Sequence, residues 1–440
     1  MSFLISLAYV LSVQFTFLLT ACALSNTRLF QTIVAELVPR KKIAYIGSLV
    51  SEYPAYILSS KLLVLYEVPS ATFESDFMLW VYRLDIGIML YLWALFLQSV
   101  FSRHPIYEAT KFLRNETSTV PPSVYDISFW LRFNNPFWEA RNILLQDNIC
   151  YATDEEIASA SLKTPNAKSL LSLDIHQHPS FPRDRPVVLY IHGGEWTSGS
   201  KDERPPLVSY LTLKQYVVVS INHRLAPSAN VVEQLIDVKR AIRWVKQNIS
   251  KFGGNASFLS IAGSSSGGHL ATMAAMTQND PQYQPGFESV DTTIHAVVSI
   301  AGYYDVTRNW GYKFDSNFTK KIAEANNSDS PRLFSPTWRL KEAEANKSRL
   351  TATPEEKLGL KLPPFMVIHG KSDVLAPIKH ARDFKKEFMT ATIPGSKIIY
   401  VELPSANHYC YGWSSPRAHS LAYGIEPFLR TAYEAYLKQE

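Results

Sequence analysis

Residues 255–276, NASFLSIAGSSSGGHLATMAAM, place the tightest condition on how this chain can fold. An apolar run from Phe258 to Ala262 leads into Gly263-Ser264-Ser265-Ser266-Gly267-Gly268, and a helix-favouring stretch from Leu270 to Met276 follows. The pattern reads as strand, very tight turn and helix, with G-x-S-x-G at the bend. The glycines have a steric reason. A serine on so sharp a bend is held in strained backbone, and side chains at positions 263 and 267 would collide with the neighbouring strand and helix. Ser265 is flanked symmetrically, so it, rather than Ser264 or Ser266, is the candidate nucleophile. An ordinary Ser/Gly-rich loop is the bland alternative; the strand before and the helix after argue against it.

A serine that attacks a carbonyl needs a base, a group to orient that base, and donors for the oxyanion. The chain offers a candidate for each. After an apolar strand at 187–191 comes His192-Gly193-Gly194-Glu195-Trp196. Glycines there let the backbone N–H groups of Gly193 and Gly194 approach a substrate carbonyl, with the N–H of Ser266 as a further donor. Asp373 lies in the loop after the strand at 365–368, where a carboxylate can receive a histidine Nδ1–H. Asp305, in Gly302-Tyr-Tyr-Asp, is a weaker rival. His408 follows the strand at 398–403 and precedes the final helix, which is expected to contain His419. His176, His178 and His223 read most simply as surface or core residues.

From about residue 146 strands and helices alternate. Strands are expected at 143–151, 170–175, 187–191, 216–221, 258–262, 296–300, 365–368 and 398–403. Several are short, continuous apolar runs, as befits strands buried on both faces of a parallel sheet. The clearest helix is 230–251, with Val232, Leu235, Val238, Ile242, Val245 and Ile249 at helical spacing and Gly253-Gly254 as a stop. The alternation predicts a doubly wound α/β sheet. A polar, aromatic-dotted excursion at 306–360 is expected to form a cap or lid. The resulting division is 1–101 membrane region, 102–145 connector and 146–440 catalytic domain.

The first quarter is of another kind. Residues 3–24 are uncharged and long enough to cross a bilayer, and no basic stretch precedes them, which favours an anchor over a cleaved signal. A second span is expected within 77–101, where Arg83 and Asp85 lie at the interface or pair within a bundle. Residues 43–66 read as a third span or an interfacial hairpin. Arg28, Arg40, Lys41 and Lys42 favour a cytoplasmic loop after the first span, whereas sequons at Asn115, Asn248, Asn255, Asn317, Asn326 and Asn346 favour a lumenal catalytic domain. An endomembrane location fits both.

The formal charge of +5 over 440 residues forms no basic cluster with interleaved aromatics, so nucleic acid is not an expected partner. Three cysteines, Cys22, Cys150 and Cys410, make no metal-binding spacing; a Cys150–Cys410 bridge is the one disulfide conceivable.

Taken together, LSLDIHQHP, PVVLYIHGGEWTSGSKD, VVVSINHRLAPSA, IAGSSSGGHLA, VVSIAGYYDV, FMVIHGKSDVLAP and SANHY resemble the esterase/lipase branch of the α/β-hydrolases over about 169–437. The resemblance implies the α/β-hydrolase fold: a mostly parallel sheet with helices on both faces and a cap insertion, here behind N-terminal transmembrane helices. It implies a Ser265–Asp373–His408 triad, an oxyanion hole at Gly193, Gly194 and Ser266, and no metal or organic cofactor. HGGEW, in place of the lipase HGGG, is nearer to kynurenine-formamidase-like and prenylcysteine-methylesterase-like relatives. Ser264 and Ser266 stand where lipase-like enzymes usually carry aspartate and alanine. The expected activity is hydrolysis of a lipophilic carboxylic ester at a membrane. An amidase or formamidase on the same scaffold, and a non-catalytic hydrolase fold, are the other classes.

Overall fold

Strands that are apolar at every position can be satisfied only when both faces of their sheet are covered, and this sheet is built that way. The computed structural model describes residues 2–23, 40–113, 143–180, 183–307, 331–347, 362–391, 393 and 396–439. Eight strands form one sheet: β1 (Leu144–Cys150), β2 (Ser172–Gln177), β3 (Arg185–Ile191), β4 (Val217–Ile221), β5 (Gly254–Ser264), β6 (Ala296–Ile300), β7 (Phe365–Gly370) and β8 (Ile398–Leu403). Their order is β1-β2-β4-β3-β5-β6-β7-β8. β2 runs antiparallel to β1 and β4, and every other pairing is parallel. Alternate residues of one strand serve opposite layers. Leu189 and Ile191 of β3 join one core, and Val188 and Tyr190 join the other.

The main helices ahead of the sheet are α1 (Ser2–Ala23), α2 (Arg40–Glu52), α3 (Pro54–Glu67), α4 (Asp76–Phe101) and α5 (Arg103–Thr110). Those interleaved with the strands or following them are α6 (Asp154–Ser161), α7 (Pro206–Leu213), α8 (Val231–Asn248), α9 (Ser266–Met276), α10 (Pro336–Lys347), α11 (Lys379–Thr390) and α12 (Pro416–Leu437). α8, α9 and α11 cover one face of the sheet, and α7 and α12 the other. α8 starts on a capping box, Asn230 accepting from the Glu233 N–H while Glu233 reaches back to the Asn230 N–H. It stops in a 3-10 turn closed by Gly253 at φ 77°.

Six strands differ in extent from the sequence reading, four of them by only one or two residues at an end. β2 begins at Ser172 because Ala167–Leu170 form a helical turn, and β5 is extended back to Gly254. Of the expected cap, residues 308–330 and 348–361 lie outside the described residues. The described part packs inward, with Phe334 and Leu340 in the same core as Phe384 of α11. All three cysteines are free. A Cys150–Cys410 bridge is ruled out by topology, since Cys150 sits on β1 and Cys410 follows β8, at opposite edges of the sheet.

Ahead of the sheet, α1, α3 and α4 pack around Tyr9, Val13, Val81, Ile88, Leu92 and Leu95. Asp85 is buried there and paired with Lys61 at 2.9 Å. The Tyr9 hydroxyl donates to Asp85 at 3.0 Å, and Lys61 also reaches Ser12 at 3.1 Å. The outer faces carry Leu4, Leu11, Phe15, Leu18, Leu62, Leu63, Trp80 and Leu90 in exposed positions. The segment 43–66 is not one continuous span. It is two helices of 13 and 14 residues, broken between Glu52 and Pro54, and α2 packs towards the sheet domain. Pro54 takes the first position of α3, where its missing N–H costs nothing.

The Lys61–Asp85 pair gives a direct test of the bundle. Asp85→Leu strands a buried ammonium and should cost about 3–5 kcal/mol, whereas Lys61→Met with Asp85→Leu should recover most of that. Thermal unfolding of the detergent-solubilised full chain measures both; equal melting temperatures for single and double variants would refute the pairing.

Candidate active site

The C-terminal ends of parallel strands are where loops of this architecture converge, and four of them meet here. β5 ends at Ser264, and Ser265 turns the chain into α9 with φ 54° and ψ −123°. Its N–H donates to the Ile300 carbonyl at 2.9 Å, and its carbonyl accepts the His269 N–H at 3.1 Å. A Cβ at position 263 would strike the Gly267 carbonyl, and one at 267 would strike the carbonyls of Ile191 and His192. Glycine is therefore required at both.

The His408 Nε2 lies 2.8 Å from the Ser265 Oγ, and the His408 Nδ1 lies 2.7 Å from Asp373 Oδ2. The other Asp373 oxygen accepts the N–H groups of Leu375 and Ala376 at 2.9 and 2.8 Å. All three side chains are at most 2% exposed. Burial alone would raise the Asp373 carboxyl, but the neighbouring His408 and His369 hold it well below the usual carboxylate range. It is an acceptor fixed by two backbone donors, able to hold His408 in one tautomer with Nε2 turned to the serine.

Other sequence candidates go elsewhere. Ser264 is turned away, its hydroxyl 3.0 Å from that of buried Tyr190. Asp305 closes its own turn, accepting from the N–H and hydroxyl of Thr307 and from Ser335. His419 lies inside α12, 2.8 Å from Ser414. His176 and His223 are buried, and His178 bonds to Ser180 at the surface.

The glycine loop after β3 lies against the serine. A Cβ on Gly193 would come to 3.1 Å from the Ser265 Cβ. Gly194, Glu195 and Trp196 then take φ values of 126°, 56° and 59°, three positive-φ residues in succession. For Glu195 and Trp196 that conformation is unfavourable and needs outside support.

Trp196 supplies it, by contacts that sequence reasoning did not find. The indole is buried, packs on Tyr303 at 5.1 Å, and donates to His269 Nδ1 at 3.3 Å. His269 in turn donates from Nε2 to the Phe334 carbonyl at 2.7 Å. The indole therefore bolts the glycine loop to the helix that starts at the serine. His192 donates from Nδ1 to the Gly193 carbonyl at 2.7 Å and stacks on His223 at 4.7 Å. Burial pushes His192 down to about 3, and His223 and His269 to about 4, so all three are neutral at pH 7. Among the described residues no cluster of His, Cys, Asp and Glu could hold a metal ion.

In structure, the chain matches esterase B of Lactobacillus rhamnosis with a TM-score of 0.55 at 19% identity, over 71% of this chain and 92% of that one. In sequence, the family described as BD-FAE matches residues 173–388. The chain adopts the α/β-hydrolase fold. In sequence it is similar to a probable carboxylic ester hydrolase, LipM, of Mycobacterium tuberculosis, 35% identical over 64% of this chain and 62% of the relative. Esterase LipQ of the same organism is 33% identical over 59% of each chain. The isoprenylcysteine alpha-carbonyl methylesterase ICME of Arabidopsis thaliana is 25% identical over 49% of each. The chain thus spans about six-tenths of the mycobacterial relatives' length.

The buried imidazoles should make this fold acid-sensitive. His176, His223, His269, His295, His380 and His419 are each lowered by burial to about 4, and His192 to about 3. Between about pH 6.5 and 4 the unfolded chain binds protons there that the folded chain refuses. Stability must therefore fall as pH drops through that window. A melting temperature that stayed level from pH 6.5 to 4.5 would contradict the neutral, buried state of these rings.

Proposed function

We propose that this protein is a membrane-anchored serine hydrolase that cleaves carboxylic esters through an acyl-enzyme. The observation that carries the reading is the continuous relay from Asp373 through His408 to Ser265 at a strained turn, beside a glycine loop. His408 takes the Ser265 proton as the oxygen attacks the ester carbonyl. Negative charge then develops on the carbonyl oxygen, where the N–H groups of Gly193, Gly194 and Ser266 receive it. Asp373 stabilises the imidazolium. His408 next protonates the departing alcohol, and then activates the water that releases the acid and restores the serine.

The esterase names of the mycobacterial relatives support the reaction class. Support for anchoring comes from the helices. α1 from Leu4 to Ala23, and the run Asp76–Leu113, are long and apolar enough to cross a bilayer. The apolar outer faces of α1, α3 and α4 suit a lipid environment, and an endomembrane location accords with the sequons. A substrate that partitions into the bilayer fits such a setting. In domain terms, 1–101 serves as anchor, 102–145 as connector and 146–440 as the catalytic unit.

A fluorophosphonate probe tests the reaction. The full chain should label and hydrolyse p-nitrophenyl esters, Ser265→Ala should do neither, and Asp373→Asn should lose roughly 10³–10⁴ in kcat. Labelling of Ser265→Ala equal to that of the wild type would refute the assignment. For the substrate class, kcat/KM on vesicle-borne esters should rise with acyl or alcohol chain length; a preference for short soluble esters would refute the lipophilic reading.

A further inference from the structure

The loop that presents His408, between Pro404 and Ser415, is held from two sides: by the sheet domain, where Ala406, Cys410 and Tyr411 are buried and the Ser372 N–H donates to the Ala406 carbonyl at 2.9 Å, and by the N-terminal helices. Its two ends and its middle are tied to the N-terminal helices. Arg417, in the first turn of α12, donates from Nη2 to the Pro404 carbonyl at 3.2 Å and from Nε to Ser102, just past α4, at 3.0 Å. Its Nη1 pairs with Glu52 at the end of α2, and both side chains are fully buried. The second Glu52 oxygen accepts the Ser415 hydroxyl at 2.7 Å, and Ser415 in turn caps α12 by accepting the Ala418 N–H at 3.2 Å. In the middle, the Tyr409 N–H, directly after His408, donates to the Ser48 Oγ of α2 at 3.1 Å. Tyr45, one turn earlier on α2, packs edge-on against Tyr409 and Trp413 at 6.0 and 5.3 Å.

We propose that α2 is a positioning element of the active site: through Ser48 and the Glu52–Arg417 pair it sets the His408 loop, so the base is competent only when the N-terminal helices are docked. The inference rests on the assignment of His408 as base to Ser265. The physical argument is one of tolerance. Proton transfer needs Nε2 within hydrogen-bond reach of the serine, and displacement of a catalytic group by about 1 Å can cost on the order of 10²-fold. The Ser372–Ala406 bond holds the loop before His408, and the Ser48–Tyr409 bond and the Glu52–Arg417 pair hold it after, so its position next to the base depends on α2 as well as on the sheet. Asp373 holds the ring, and α2 bonds to the chain directly after it. None of the α2 side chains named here bonds to Ser265, His408 or Asp373, so they act on kcat through the loop.

The test uses the full chain in detergent micelles, with p-nitrophenyl butyrate kinetics, fluorophosphonate labelling rates and thermal melting. Ser48→Ala removes the acceptor for the Tyr409 N–H, and Glu52→Gln keeps an acceptor for Ser415 while removing the charge facing Arg417. Both should lower kcat and the labelling rate about ten- to a hundredfold with KM within about twofold. Ser48→Thr, which keeps the hydroxyl, should recover most of the loss, and Ser60→Ala on exposed α3 surface should leave kcat unchanged. Should Glu52→Gln fail to fold, Ser48→Ala decides. The inference is overturned if Ser48→Ala keeps the wild-type kcat, or if its kcat falls only in step with its melting temperature. Wild-type rates in Ser48→Ala beside a dead Ser265→Ala would sink this inference alone; an active Ser265→Ala would sink the underlying assignment as well.

Discussion

The left-handed backbone at Ser265 is the constraint on which the remainder of the structure depends. A serine at φ 54° cannot be part of a strand or a helix, so β5 must end and α9 must begin around it. Its neighbours have to come close enough to hold that geometry. The end of β3 approaches until only glycine fits at 267, and α9 folds back until only glycine fits at 263. The same crowding brings the loop after β3 beside the serine. One strained residue thus accounts for two positions that must stay small and for the placing of the glycine loop.

That loop stores strain of its own, and the molecule answers it with buried, neutral polar contacts rather than charges. The Trp196 indole donates to His269, His269 donates to the Phe334 carbonyl, and His192 fastens the carbonyl of Gly193. Neutral imidazoles suit this task at pH 7. They align backbone without adding a positive field beside the serine.

Much of this was legible in the sequence, for identifiable reasons. Buried parallel strands are continuous apolar runs, and the tight turns around Gly263, Gly267 and Gly193 leave glycines where nothing else fits. Asp373 and His408 each follow a strand, so their loops could be placed at one edge of the sheet. What could not be read was pairing at a distance. Nothing near Trp196 announces His269, and nothing near Glu52 announces Arg417. The region 43–66 stayed ambiguous for another reason: its apolar content suits a membrane span as well as a helix packed on protein. Pro54 was the local signal of the break, and the buried Ser48 and Glu52 had no counterpart in hydropathy.

The Glu52–Arg417 contact joins residues 365 positions apart. Closing so long a loop is slow, because the entropy of ordering the intervening chain precedes any gain from the contact. As the chain is synthesised, β5, Ser265 and the glycine loop can all form before residue 417 exists. The serine proposed as nucleophile is therefore placed early, and the histidine proposed as its base is seated late. A chain interrupted between them carries the serine without the proposed base, and the arrangement is complete only once the first turn of the last helix has met α2.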